Sequence, residues 1–266
     1  MIVNLFEGFL NTQPLWKQEQ FGLQQFRMPQ IDLSTFHAQP IANKLRLGHQ
    51  VEYAFLQLLE SHPDYEVLAH SLQVKKRNRT IGELDFLVRH NKKVYHIEVS
   101  CKFYLIDPEI SEPIHRLVGP NRGDMFFTKL DKTKKQQLPL LHTKECLQQL
   151  QALDIDPHKV IQQVYFIAQL YVPLIERLPS IRPLNKQCIV GSWMRMNDFE
   201  RSSFRESVYY IPTKSEWIHS PHNNVSWINH YETLLEVNLK LINKRSPMIW
   251  RKLPDGSFDM FFVVWW

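Results

Sequence analysis

Cysteine is scarce in this sequence, and its scarcity restricts both the compartment and the kind of site. Only three cysteines occur in 266 residues, Cys101, Cys146 and Cys188, and they lie far apart. An odd number of widely spaced cysteines supports neither a disulfide framework nor a zinc knuckle. We therefore expect reduced thiols in a cytoplasmic protein.

Long hydrophobic runs are also missing. No apolar stretch reaches the roughly 18 residues that a transmembrane helix needs, so we expect no membrane span. The opening MIVNLFEGFLNTQ lacks a basic leader, which argues against a signal peptide. The closing FFVVWW is too short to span and is typical of a buried last strand. We expect no membrane partner.

The signatures of several enzyme classes are absent as well. No HExxH or GxSxG motif occurs, and GPNRGD at 119–124 lacks the GK[ST] ending of a Walker loop. The composition nevertheless predicts a folded protein, since 44% of residues are hydrophobic and 12% are aromatic. A chain of this length can bury a sizeable core.

The most informative stretch that is present covers residues 82–104, GELDFLVRHNKKVYHIEVSCKFY. It predicts two strands joined by a hairpin loop at HNKK, with Asp85 on the first strand and Glu98 and Lys102 on the second. Because strand side chains alternate, Glu98, Ser100 and Lys102 share one face. Asp85, Glu98 and Lys102 are thus predicted to place three ionisable groups on an otherwise apolar sheet.

Such groups indicate a particular chemistry. Burying them without a metal, a substrate or a partner would be costly. Two carboxylates suit Mg²⁺, which prefers oxygen ligands and keeps several waters. A nearby lysine can orient an attacking water or stabilise charge that develops on a phosphate. The stretch therefore predicts a metal-dependent phosphodiesterase.

The flanking segments predict a regular order of elements. Apolar residues at helical spacing predict a helix over 43–61, with Glu52 at the edge of its stripe. A strand follows at YEVLAHSLQVKK, ahead of the two strands just described. GDMFFTKLDKTKKQQLPLL predicts a second helix, which Pro139 should end or kink, and VIQQVYFIAQLYVPL predicts an apolar strand. The order is helix, three strands, helix, strand.

With this order and these residues, the chain resembles the PD-(D/E)XK nuclease superfamily. Its restriction-endonuclease-like fold is α/β, with an αβββαβ core and a mixed central sheet. The resemblance covers residues 41–175 and is closest to the resolvase-like and RecB-like branches. Their GE(I/L)D motif is matched by Gly82, Glu83, Leu84 and Asp85. The pattern GELDF…HxExxxKFYL is also similar to that of an uncharacterised bacterial family within the superfamily.

The resemblance implies a metal site. Asp85 and Glu98 would bind Mg²⁺ or Mn²⁺, and the backbone carbonyl of Val99 would be a third ligand. Glu52 matches the helix carboxylate that assists the metal in many members. The implied activity is hydrolysis of phosphodiester bonds.

The resemblance also implies two further catalytic residues. Ser100 stands where the superfamily has its lysine, and Lys102, two residues later on the same face, would take that role. Gln137 matches the glutamine of the following helix in RecB-like branches. Leu141 stands where those branches often carry a tyrosine.

The charge distribution predicts the partner. The formal net charge is +5, and two basic clusters flank the predicted site. The members are Lys75, Lys76, Arg77 and Arg79 before GELD, and Lys129, Lys132, Lys134 and Lys135 on the helix after it. The phosphates of a polyanion would run there, which favours a nucleic acid as the partner. We expect DNA, although these charges do not distinguish DNA from RNA.

We predict three parts along the chain: an N-terminal extension over 1–40, the nuclease-like core over 41–178, and a C-terminal α+β extension over 179–266. The last part should contain a terminal hairpin and an amphipathic helix. Its apolar face is predicted from Ile228, Tyr231, Leu234, Leu235, Asn238 and Leu241.

Other interpretations of the same residues remain open. Glu98 and Lys102 could form an ion pair on a solvated strand, and each basic cluster could be an ordinary solvated surface. The leading interpretation is a Mg²⁺-dependent nuclease. The alternative is a catalytically inactive nucleic-acid-binding or protein-interaction module on the same fold. The sequence leaves the oligomeric state open.

Overall fold

Helices and strands alternate along the chain in a mixed α/β architecture. The computed structural model describes residues 2–42, 44–174 and 181–266. The helices of this part are α1 (Ile2–Asn11), α2 (Leu47–Glu60), α3 (Phe126–Lys132), α4 (Lys144–Ala152), α5 (Met196–Phe199) and α6 (His230–Ile242). None of these helices combines the length and the apolar character that crossing a bilayer requires.

Most strands belong to a large mixed sheet. In chain order the strands are β1 (Glu19–Gln20), β2 (Leu23–Gln24), β3 (Tyr65–Lys76), β4 (Arg79–His90), β5 (Lys93–Ile106), β6 (Leu117–Val118), β7 (Ile161–Pro173), β8 (Ile189–Arg195), β9 (Val208–Tyr210), β10 (Ile228–Asn229), β11 (Met248–Lys252) and β12 (Phe258–Val264).

The chain divides into two compact units, each built from separate pieces of sequence. The first unit comprises Met1–Phe9, Pro14–Cys101 and Thr128–Ile167. The second unit comprises Leu10–Gln13, Lys102–Phe127 and Ala168–Trp266. The three predicted parts, with boundaries at residues 40 and 178, are each continuous in sequence. This division stays a prediction.

In the first unit, β3, β4 and β5 form an antiparallel sheet with β7 beside β5. The predicted hairpin between β4 and β5 is confirmed, with His90 paired to Lys93. Asn91 and Lys92 both have positive φ, at 46° and 63°, as a tight two-residue hairpin turn requires. This turn aligns the strands that carry Asp85 and Glu98.

Helix α2 covers this sheet, as its apolar spacing predicts. Val51, Ala54 and Phe55 are buried along one side of the helix. The Phe55 ring contacts Phe86 of β4 and Tyr165 of β7, with centroid separations of 4.8 and 5.4 Å. The helix that carries Glu52 is therefore packed against β4, the strand that carries Asp85.

The second predicted helix, over 123–141, is not one regular helix. Helix α3 gives way to a π-helical turn (Thr133–Gln137) and then to a 3₁₀ segment (Leu138–His142). The change therefore comes before Pro139, which lies in the first turn of the 3₁₀ segment. Pro139 fits this change, because a proline has no N–H to donate to the carbonyl of Lys135 four residues earlier and its ring crowds that carbonyl. A Cβ at Gly82 would lie 2.6 Å from Cδ2 of Leu140, so the glycine lets the segment approach β4 closely.

In the second unit the strands follow the order β10-β9-β11-β12-β8-β7. Strand β8 is parallel to both β12 and β7, and the other neighbours are antiparallel. The predicted terminal hairpin is confirmed by the pairing of β11 with β12.

Helix α6 forms where predicted, but only half of its predicted apolar face meets the core. Ile228, Leu234 and Leu241 are partly buried against a core cluster. Thr233 and Val237 are buried, whereas Tyr231, Leu235 and Asn238 are exposed. The helix is anchored by polar contacts that an apolar pattern does not reveal. Nε2 of His230 lies 2.9 Å from the carbonyl oxygen of Phe199.

Candidate functional site

The pairing of β4 with β5 stops beside the two predicted metal ligands. The last paired residues are Phe86 and Ile97, next to Asp85 and Glu98. Beyond them, the backbone N–H of Val99 donates to Oδ2 of Asp85 at 2.9 Å. This N–H therefore bonds to a side chain in place of the backbone of a neighbouring strand. Because paired residues share a face and successive residues alternate, Asp85 and Glu98 project to the same side of the sheet.

Glu98 is buried, with 1% of its surface exposed, and both of its carboxylate oxygens accept hydrogen bonds. Nε2 of His96 lies 2.9 Å from Oε1, and Nε2 of Gln137 donates to Oε2. Two donors on one carboxylate favour its ionised form and fix its position.

The amide of Gln137 is oriented by the helix that precedes it. Its Oε1 accepts hydrogen bonds from Nζ of Lys129 at 2.7 Å and from the hydroxyl of Thr133 at 3.0 Å. With its oxygen engaged in this way, the amide can present only its nitrogen to Glu98. The ammonium of Lys129 is thus linked to the Glu98 carboxylate through one side chain.

The proton of His96 can be located by the same reasoning. Nε2 of Gln162 donates to the carbonyl of Leu138 at 2.6 Å and lies 3.0 Å from Nδ1 of His96. An amide nitrogen only donates, so Nδ1 accepts and the ring proton sits on Nε2, facing Glu98. Burial lowers the pKa of His96 to about 4, so the imidazole is neutral at pH 7.

The carboxyl groups of the site disfavour one another's charge. Burial raises the pKa of Asp85 to about 7, and the charge of Glu98 adds to the rise. Burial also raises the pKa of Glu98 to about 7, against the opposing charge of Lys129. The pKa of Glu52 is raised by burial and by the charge of Asp85. A cation among these groups would remove the repulsion.

The oxygen atoms available at this site as metal ligands fit Mg²⁺. Each carboxylate oxygen of Glu98 keeps one lone pair after its hydrogen bond, and Asp85 and the carbonyl of Val99 add further oxygens. Mg²⁺ is commonly held by one or two carboxylates with several waters. Among the described residues, no three His, Cys, Asp or Glu side chains form a ready metal cluster, so water would complete the shell.

Lys102 and Lys129 have different partners. Nζ of Lys102 donates to Oδ2 of Asp124 at 2.6 Å, which neutralises the lysine locally. The charge of Lys129, in contrast, acts on both Asp85 and Glu98. From the sequence, Lys129 is predicted only as a nucleic-acid contact, and no role is predicted for His96.

Both residues nevertheless have a signal in the sequence. Lys129, Thr133 and Gln137 follow each other at intervals of four residues, which places them on one side of a helix. His96 precedes Glu98 by two residues on a strand and therefore shares its face.

The predicted nucleic-acid contacts lie on the surface of the first unit. The exposed members are Lys75, Lys76, Arg77 and Arg79 at the tip of the β3–β4 hairpin, and Lys132, Lys134 and Lys135 after helix α3. Lys129 is partly buried and faces the carboxylates. Lys76 pairs with Glu145 at 3.5 Å and Lys135 with Asp131 at 2.7 Å.

The stability of the metal-free protein should fall as the pH rises. Unfolded Asp and Glu lose their protons near pH 4, whereas Asp85 and Glu98 keep theirs to about pH 7. Between these values the folded state binds more protons, so the free energy of unfolding decreases with increasing pH. Each pKa unit is worth about 1.4 kcal/mol, so the loss should reach a few kcal/mol.

Urea unfolding in EDTA at pH 5 and pH 8 measures this dependence. The variant Asp85→Asn carries one carboxyl fewer and should lose less stability over the same range. Equal pH dependence in the wild type and the variant would contradict the electrostatic description of the site.

The chain matches, over residues 13–254, the model of the family described as Domain of unknown function (DUF1853). The chain is a mixed α/β protein in which a half-buried Asp85 lies beside a buried Glu98, and the match shows that it belongs to the DUF1853 family. Comparison with curated proteins and with solved structures gave no match.

Proposed function

We propose that this protein is a Mg²⁺-dependent nuclease of the PD-(D/E)XK type that hydrolyses phosphodiester bonds in DNA. The observation that carries the proposal is that half-buried Asp85 and buried Glu98 project to the same side of the sheet. The pKa values of both are raised to about 7. Strongly perturbed carboxyls beside oriented donors are characteristic of functional sites. A solvated ion pair on a strand would not raise the pKa values of its carboxyls in this way.

The order of elements in the chain supports the same proposal. Helix α2, the antiparallel strands β3, β4 and β5, helix α3 and strand β7 follow each other in the order that a restriction-endonuclease-like core requires. Asp85 lies on the second of these strands and Glu98 on the third. The superfamily carries its two acidic motif residues on these strands.

Each residue of the proposed site has a specific role in binding the metal or in holding a metal ligand. Asp85, Glu98 and the carbonyl of Val99 would hold Mg²⁺ or Mn²⁺, with Glu52 assisting through water. A bound metal of this kind lowers the pKa of a water molecule and polarises the scissile phosphate. His96 and Gln137 keep the Glu98 carboxylate in place, as the outer partners of metal ligands generally do.

We assign the lysine role to Lys129 rather than to Lys102. Lys129 contributes positive charge to both carboxyls and is held by Gln137 at 2.7 Å. The Lys102 ammonium is already paired with Asp124. A lysine supplied from the helix would also account for Ser100 at the position where the superfamily has lysine on the strand.

Charge reversal at Lys132, Lys134 and Lys135 should weaken DNA binding and reduce its salt dependence. For each phosphate that no longer meets a lysine, the slope of log K against log salt should fall by about 0.9. The matched control reverses three exposed lysines outside both clusters: Lys17, Lys159 and Lys186. Equally weakened binding in the two triple variants would mean that net charge, and not this surface, determines binding.

The activity itself is tested on a panel of linear duplex, single-stranded and branched DNA, together with RNA. Cleavage that requires Mg²⁺ or Mn²⁺ and stops in EDTA is the expected result. Salt-dependent binding without cleavage of any substrate would identify an inactive nucleic-acid-binding module. Neither binding nor cleavage would leave a protein-interaction module as the better description.

A further inference from the structure

Helix α6 exposes a continuous apolar stripe on the side that faces away from its own core. Tyr231, Leu235, Leu239 and Ile242 are 70%, 51%, 64% and 77% exposed. Their spacing of four, four and three residues aligns them along one side of the helix. Single exposed apolar residues are ordinary, but a contiguous patch marks an interaction surface.

The charges along α6 are segregated by sign. Exposed Glu232 and Glu236 lie in the N-terminal half of the helix. Lys240, Lys244 and Arg245 lie at its C-terminal end and just beyond. An identical helix in antiparallel orientation would bring the acidic half of each beside the basic half of the other. A parallel arrangement would bring like charges together.

The helix is also well prepared to form a rigid contact. Its N-terminus is closed by a capping box in which Asn229 accepts from the backbone N–H of Glu232 and the Glu232 carboxylate accepts in return. A preformed helix loses little conformational entropy on binding. The N-terminal half of the stripe, with Tyr231 and Leu235, therefore lies on closed helix.

We propose that the stripe on α6 binds a second copy of this chain, with the two α6 helices packed antiparallel about a two-fold axis. Such an isologous contact uses the same patch on both copies. Four side chains per copy bury less than the roughly 800 Å² per partner of a standard interface, so the dimer should dissociate on dilution.

The same observations count against a membrane surface as the occupant. Helices that lie on anionic membranes carry lysine and arginine along the polar face beside the apolar stripe. The N-terminal half of α6 carries Glu232 and Glu236 instead. A polyanion is disfavoured for the same reason.

Sedimentation velocity over a range of concentrations tests the proposal. The wild type should show a concentration-dependent dimer, and Leu235→Glu combined with Leu239→Glu should be monomeric throughout. Both side chains are exposed, so the variant should keep the wild-type circular dichroism and melting temperature. A wild type that stays monomeric at every concentration, or a variant that still dimerises, would overturn the proposal.

A charge exchange tests the antiparallel orientation. Glu236→Lys should weaken the dimer about tenfold, because like charges then face each other. Adding Lys240→Glu in the same chain restores opposite signs and should recover the affinity. No recovery would reject the antiparallel arrangement. Flotation with phosphatidylserine vesicles, combined with a monomeric wild type, would identify a lipid surface instead.

Discussion

Asp85→Asn should abolish Mg²⁺-dependent cleavage while leaving the protein folded. The substitution removes one of two carboxylates that would hold the metal, and a bound metal contributes several kcal/mol to stabilising the transition state. We expect turnover to fall roughly a thousandfold or more. At pH 8 in EDTA the variant should be at least as stable as the wild type, because the substitution removes a desolvated charge.

Asp64→Asn provides the matched control. Asp64 is exposed and contacts only the surface histidine His62 at 3.9 Å among the described ion pairs, so its replacement should leave turnover unchanged. If Asp85→Asn cleaved at the wild-type rate, the carboxylate pair would not be the catalytic centre.

Lys129→Ala should also reduce turnover, by about a hundredfold to a thousandfold, since it removes a preorganised positive charge from the reacting phosphate. It also leaves the oxygen of Gln137 without one of its two donors. Lys129→Arg should restore little, because a planar guanidinium differs in shape from an ammonium.

Lys102→Ala is the decisive comparison for the lysine role. It removes the ion pair with Asp124 and should leave turnover largely unchanged. Adding Ser100→Lys to Lys129→Ala places a lysine at the usual strand position and should recover part of the missing activity. Full activity in Lys129→Ala, together with inactivity of Lys102→Ala, would return the lysine role to Lys102.

Local signals explain what the sequence predicted correctly. The β4–β5 hairpin follows from its turn residues, and α2 follows from the regular spacing of Val51 and Phe55. Strand alternation was sufficient to predict that Asp85 and Glu98 share a face. Each of these features depends on residues that are near in sequence, so the pattern carries the information.

Tertiary contacts explain what the sequence could not predict. The segment over 123–141 brings Leu140 against Gly82 of β4, a contact that no periodicity reveals. The approach of Lys129 to the carboxylates depends on the hydrogen bonds of Gln137 within the fold.

The same limit applies to helix α6. Its apolar residues are numerous enough to predict a helix with an apolar face, but they do not say which side meets the core. The core side carries Leu234 and Leu241 from the predicted face, together with Thr233, Val237 and the hydrogen-bonded His230. The apolar residues left outside form the surface for which we propose a second copy.

The most direct test of the metal site is the shift of melting temperature that Mg²⁺ causes at pH 8. A ligand that binds only the folded state stabilises it in proportion to the logarithm of its concentration above the dissociation constant. Mg²⁺ should therefore raise the melting temperature of the wild type, more than sodium at equal ionic strength, and should not raise that of Asp85→Asn or Glu98→Gln. The same shift in all three proteins, or no shift in the wild type, would contradict a metal site at Asp85 and Glu98.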